Sequence, residues 1–128
     1  MSEFVEVKTS ELVRDGLNWA VAKAEGYEPM LVPHSRNEYG VVASLGSVEE
    51  GNFAFEPCFY CTDWAKGGPL LEKHAIEFEW ITDVTLRAEV PTCGTSAYAN
   101  SHLTAACRAI VASVLGETVS VPKELCYE

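Results

Sequence analysis

The chain has 128 residues, 48% of them hydrophobic, and 19 acidic against 9 basic side chains give a formal net charge of -10 at pH 7. This length and apolar content suit one folded domain with its own core and exclude a disordered segment, while the charge repels phosphate backbones and excludes generic nucleic-acid binding. No apolar run approaches the ~20 residues of a membrane span, and the acidic start MSEFVEVKTSEL lacks the apolar core of a signal peptide, so a soluble cytoplasmic protein is expected.

In chain order, FVEVK at 4–8 alternates apolar and polar residues and predicts a strand. Thr9 or Ser10 offers a helix cap, and residues 12–26 predict a helix with Val13, Leu17, Ala20, Val21 and Ala24 on one face and Gly26 as its stop. Gly16 inside that helix costs about 1 kcal/mol of propensity relative to Ala, which points to a tight contact there. Residues 27–57 are punctuated by Pro and Gly; Tyr39 to Leu45 and Phe53 to Phe55 read as strands between loops. Phe59 to Cys61 reads as a strand, Pro69 to Ala75 as a short helix, Phe78 to Trp80 and Asp83 to Val90 as strands, and Pro91 to Gly94 as a turn. The last helix is expected from Asn100 to Leu115, capped by Asn100 or Ser101 and ended by Gly116, with Leu103, Ala106, Cys107, Ile110, Val111 and Val114 on its apolar face. An extended piece, TVSV, opens the tail. The sum is a single α+β domain over 1–128, a small antiparallel sheet packed against two main helices.

The segment TDWAKGGPLLE, 62–72, concentrates chemistry. With Pro69 read as the first helical residue, Gly67 and Gly68 form a turn whose amides, together with the helix dipole, suit an anion. Lys66 adds a charge, Trp64 a ring to stack on a base, and Asp63, next to Thr62, an acceptor for a ribose hydroxyl or a base edge. The same residues also suit a capping turn in which Asp63 serves backbone amides and Trp64 is core.

Other constellations are weaker. Trp19 and Lys23 are four apart on the first helix, beside Asn18, so Trp19 is either a second wall of a pocket or a cover on the core. Arg108 is expected to reach an anion or a carboxylate such as Asp63 or Glu72. Cys58 and Cys61 form one C-x-x-C pair where a zinc site needs about four ligands, so no metal is assigned. The strand reading of 59–61 puts the two thiols on opposite faces. The five cysteines are expected to be free thiols. His34, His74 and His102 have no obvious serine or cysteine partner in sequence and G-x-S-x-G is absent, so no catalytic residues and no cofactor are assigned.

Three blocks, VKTSEL at 7–12 with LNWAVAKAEG at 17–26, TDWAKGGPLLE at 62–72, and AACRAIVASVLGETVSVPKEL at 105–125, resemble the NinX-like family of small phage and prophage proteins. The resemblance implies a phage or prophage origin and an accessory role in the cytoplasm of an infected cell. It brings no catalytic residues to carry over. The expectation that follows is a non-enzymatic, homo-oligomeric binder of a small anionic, nucleotide-like ligand through Thr62, Asp63, Trp64, Lys66, Gly67, Gly68, Trp19 and Arg108, acting on host signalling or defence. The alternatives are an acidic module that docks on a basic host protein and a small enzyme acting on a nucleotide.

Overall fold

A computed structural model describes residues 4–35, 38–44 and 55–125. The elements run β1 (Phe4–Lys8), a 3-10 turn (Thr9–Glu11), α1 (Arg14–Ala24), β2 (Pro29–Ser35), β3 (Glu38–Ser44), β4 (Phe55–Pro57), α2 (Trp64–Lys73), β5 (Glu77–Trp80), β6 (Leu86–Val90), β7 (Thr95–Ala99), α3 (His102–Leu115), β8 (Thr118–Pro122) and a closing 3-10 turn (Lys123–Leu125). The class is α+β. Among the described residues the strands form three short antiparallel sheets, ordered β1-β8, β2-β3-β4 and β5-β6-β7.

The division follows from α1 and α3 packing on each other, which gives the pair several sides to cover. Sheet β5-β6-β7 covers α3, while β3 and β8 lie against α1. Two cores result. One gathers Leu17, Val21, Cys58, Cys61, Cys107, Val111, Val121 and Leu125 around the two helices. The other places Ala105, Ala106 and Ala109 of α3 against Ala88, Val90 and Ala97. Alanine on both sides lets the helix lie close to the sheet. β1 and β8 pair with Val5 opposite Val121 and Val7 opposite Val119, joining distant parts of the chain. Thr9 reinforces that join, donating its N–H to Glu117 O (2.8 Å) and its hydroxyl to Gly116 O (2.7 Å).

Helix ends show which local signals won. Gly26 (φ 88°) ends α1: its N–H bonds Lys23 O (3.1 Å) while Tyr27 N–H bonds Ala22 O (2.9 Å), the paired pattern of a Schellman stop. Gly116 (φ 95°) follows α3, and Ser101 caps its start, accepting from Thr104 N–H at 3.4 Å. The expected Thr9 or Ser10 cap on α1 is not used: those residues form the 3-10 turn, and Val13 precedes the helix without a side-chain bond. The tight contact expected at Gly16 is present, since a Cβ there would lie 3.3 Å from Leu125 O.

Four expectations need correction. β2 and β7 form where no strand was read; alternation is interrupted in both by Pro29 and Pro33 or by small residues, and pairing with β3 and β6 supplies the order. Phe59 to Cys61 is a turn rather than a strand, with Thr62 and Asp63 N–H both bonded to Phe59 O (3.2 and 2.8 Å). β6 starts at Leu86 because Ile81 and Thr82 N–H fold back onto Thr85 O. Phe53 lies outside the described residues. No helix among the described residues is long and apolar enough to cross a membrane.

Candidate functional site

α2 begins five residues earlier than Pro69. Asp63 is its cap: the carboxylate accepts from Ala65 N–H (2.9 Å) and the Asp63 carbonyl from Lys66 and Gly67 N–H (3.0 and 2.8 Å). Gly67, Gly68 and Pro69 are therefore interior helical residues, and the Gly67 amide is engaged by the helix itself. The anion seat expected at Gly67 and Gly68 does not form. A capping aspartate outcompetes proline as the start signal here, and proline is accommodated inside at the loss of one helical bond to Ala65 O.

The reason for glycine at 67 is packing. It is buried, and a Cβ there would overlap the Tyr60 carbonyl and lie 2.8 Å from Leu103 Cδ2. Only a bare backbone lets α2 sit this close to the preceding turn and to α3. At Gly68 a Cβ would meet only Trp64 Cε3, at an ordinary 3.7 Å.

What the fold does assemble is an aromatic cluster beside these residues. Trp64 opens α2 and His102 opens α3, their rings 6.3 Å apart. Phe78 and Trp80, two apart on β5 and so on one face of the strand, place their rings edge-on to His102 at 4.8 and 5.8 Å. Both indoles remain open to solvent, Trp64 at 57% and Trp80 at 52% exposure, and Ile81 and Val84 in the adjoining turn are exposed as well. Trp64 is thus not core. Asp63 and Asp83 flank the cluster in sequence and are exposed, as is Thr62. Lys66 is half-buried and engaged within the protein. Sequence reasoning missed Phe78, Trp80 and His102 as a set. Alternation in FEW hinted at the shared face, but no local signal tells which helix end that face meets.

The other expected site residues lie elsewhere. Trp19 is 6% exposed, its ring 6.1 Å from Phe4, so it is core rather than a pocket wall. Asn18 is buried, and its side-chain oxygen accepts from Cys61 N–H (3.1 Å), fixing the turn before α2. Arg108 reaches neither Asp63 nor Glu72. It is half-buried and donates from Nε to Leu12 O (2.9 Å) and from Nη1 to Tyr98 O (2.8 Å), a clamp between the entry to α1 and β7. Burial draws its pKa down, yet guanidinium keeps its charge at neutral pH.

Cys58 and Cys61 are both buried in the same core, not on opposite faces, because the turn brings both thiols inward. Burial pushes the Cys61 thiol up to about 11, and that of Cys107 upward as well. These are neutral packing groups, not thiolate nucleophiles. No group of three metal-ligating side chains occurs among the described residues. His74 belongs to a tie between α1 and α2: Glu25 accepts from Lys73 Nζ (2.6 Å) and lies 2.8 Å from His74 Nε2, its own side chain 4% exposed. Burial acts to raise the Glu25 pKa, but the bonds to Lys73 and His74 outweigh it and the net shift is downward.

The fold and this surface define a small α+β protein with a solvent-facing aromatic cluster and an acidic surface. Over residues 8–114 the chain matches the family described as Bacteriophage P22, NinX, and it belongs to that family. It is on that ground a phage accessory protein. No curated protein matches it.

Proposed function

We propose that this phage accessory protein works by docking on a basic surface of a host protein, with Trp64 and Trp80 as its anchors. The observation that carries the reading is the pair of half-exposed indoles held around His102 and bordered by Ile81 and Val84. Tryptophan is enriched among residues that dominate binding energy, and a net charge of -10 steers a basic partner toward the protein. A guanidinium or ammonium of the partner can lie over an indole face. The test is affinity capture from host lysate over a salt series, with the partner identified and its affinity then measured against Trp64→Ala and Trp80→Ala. Each substitution should weaken binding by about 2 kcal/mol, and salt should slow association. A partner indifferent to both tryptophans refutes the assignment.

A second reading keeps the small anionic, nucleotide-like ligand, whose capture would blunt host signalling or defence. The specific support is that the first residues of α2 and α3 touch through Trp64 and His102, so two positive helix ends converge beside a stacking ring. Calorimetric titration with linear and cyclic nucleotides tests it; heats unchanged by Trp64→Ala count against it. Self-association through the same indoles would appear as a concentration-dependent mass in sedimentation that Trp80→Ala abolishes.

A further inference from the structure

Away from the aromatic cluster, a cleft of about 540 Å³ opens between the edge of β7 and the junction of β1 and β8. Ser96 and Tyr98 line one wall, Lys8, Glu117 and Thr118 the other, and Ala112 of α3 also borders it. The volume is that of an ordinary ligand site.

Two features give the cleft a direction. β7 is an edge strand among the described residues, paired only with β6. Ile81 N–H bonds Thr85 O, so by alternation Arg87 and Glu89 pair with β5, the main-chain groups of their β7 partner Tyr98 point off the sheet, and Arg108 donates to Tyr98 O there. By the period of two, those of Ser96 point the same way. Tyr98 O is thus satisfied by Arg108, while the Tyr98 N–H and both Ser96 groups lie on the unpaired edge of a strand that borders the cleft. The second feature is charge. Lys8 and Glu117, both exposed, border the same cleft, and neither forms an ion pair with the other or with any described residue. Tyr98 adds a half-exposed ring.

From this arrangement we propose that the cleft binds short peptides with free ends, laid as an added strand along β7. The peptide main chain pairs with Ser96 and the Tyr98 N–H. Its carboxylate meets Lys8, its ammonium meets Glu117, and an apolar side chain covers the Tyr98 ring. Strand addition explains the peptide class; a sugar or a nucleoside offers no match to a strand edge with opposite charges beside it. This site is independent of the docking reading at Trp64 and Trp80.

The experiment is calorimetric titration of the full chain with the tripeptide Ala-Phe-Ala in four forms: free, N-acetylated, C-amidated and blocked at both ends. The free form is expected to bind, and amidation or acetylation should each weaken it roughly fivefold, as for an exposed ion pair. Lys8→Ala should weaken the free peptide as amidation does and leave the amidated form unchanged; Glu117→Gln should match acetylation in the same way. Slowed hydrogen exchange of the Ser96 amide on adding the free peptide reports the strand pairing and needs no variant. Absence of saturable binding at millimolar free peptide, equal binding of the doubly blocked form, or an unprotected Ser96 amide in the complex would each overturn the proposal.

Discussion

Replacing Gly67 and Gly68 by alanine, one at a time, separates packing from ligand binding as the reason for the glycine pair. In a helix interior, Gly→Ala gains about 1 kcal/mol from backbone propensity. At Gly68 no tertiary contact opposes that gain, because the new methyl rests 3.7 Å from Trp64 Cε3, but the ring of Pro69 does, since its Cδ crowds a Cβ on the preceding helical residue. Gly68→Ala should therefore change stability by less than about 1 kcal/mol, because the propensity gain and the crowding by Pro69 oppose each other. At Gly67 the methyl overlaps the Tyr60 carbonyl and approaches Leu103 Cδ2 to 2.8 Å. The carbonyl is backbone and belongs to the turn that Asn18 pins through Cys61 N–H, so it does not yield as a flexible side chain would. Overpacking of this kind costs about 1–3 kcal/mol or more, and the upper part of that range applies because α2 must lift from both the turn and α3. Net of propensity, Gly67→Ala should destabilise by about 2 kcal/mol. Urea unfolding followed by far-UV circular dichroism reads both variants: the midpoint should fall for Gly67→Ala and move far less for Gly68→Ala, at unchanged slope. Equal losses in the two variants would refute the reasoning, and so would a Gly67→Ala variant with wild-type stability.

The tie at Glu25 predicts an acid limb. A carboxylate whose folded pKa is lowered stabilises the fold above its unfolded pKa, roughly 4.3, and that contribution is lost as pH falls through the folded pKa. Glu25→Gln should thus cost about 1–2 kcal/mol at pH 7 and flatten the stability profile between about pH 5 and pH 3, measured by thermal unfolding across pH. Arg108→Lys keeps a charge but gives up the two-pronged grip on Leu12 O and Tyr98 O, so a loss of about 1–2 kcal/mol is expected in urea titrations. Among the described cysteines, exposed Cys93 should react with a thiol reagent in the native protein, whereas buried Cys58, Cys61 and Cys107 should react only on unfolding; a fast native reaction at Cys61 would contradict its raised pKa.

Local signals alone determined α1, α3 and the strands whose side chains alternate. The stripe of α3, its Ser101 cap, the Gly26 stop of α1 and the alternation in β1 and β5 each arise from residues within a turn or two of one another, and such interactions can be read along the chain. The α+β class follows from them. Tertiary structure decided what depends on neighbours far away in sequence. Ser96 and Tyr98 form an edge only because β6 supplies the pairing. Gly67 is glycine because Tyr60 and Leu103 crowd it, not because a ligand needs its amide. Arg108 grips two carbonyls, the nearer in sequence ten residues off and the other ninety-six. The aromatic cluster comes from α2, β5 and α3, three elements whose individual patterns carry no record of one another; packing free energy alone brings Trp64, Phe78, Trp80 and His102 together.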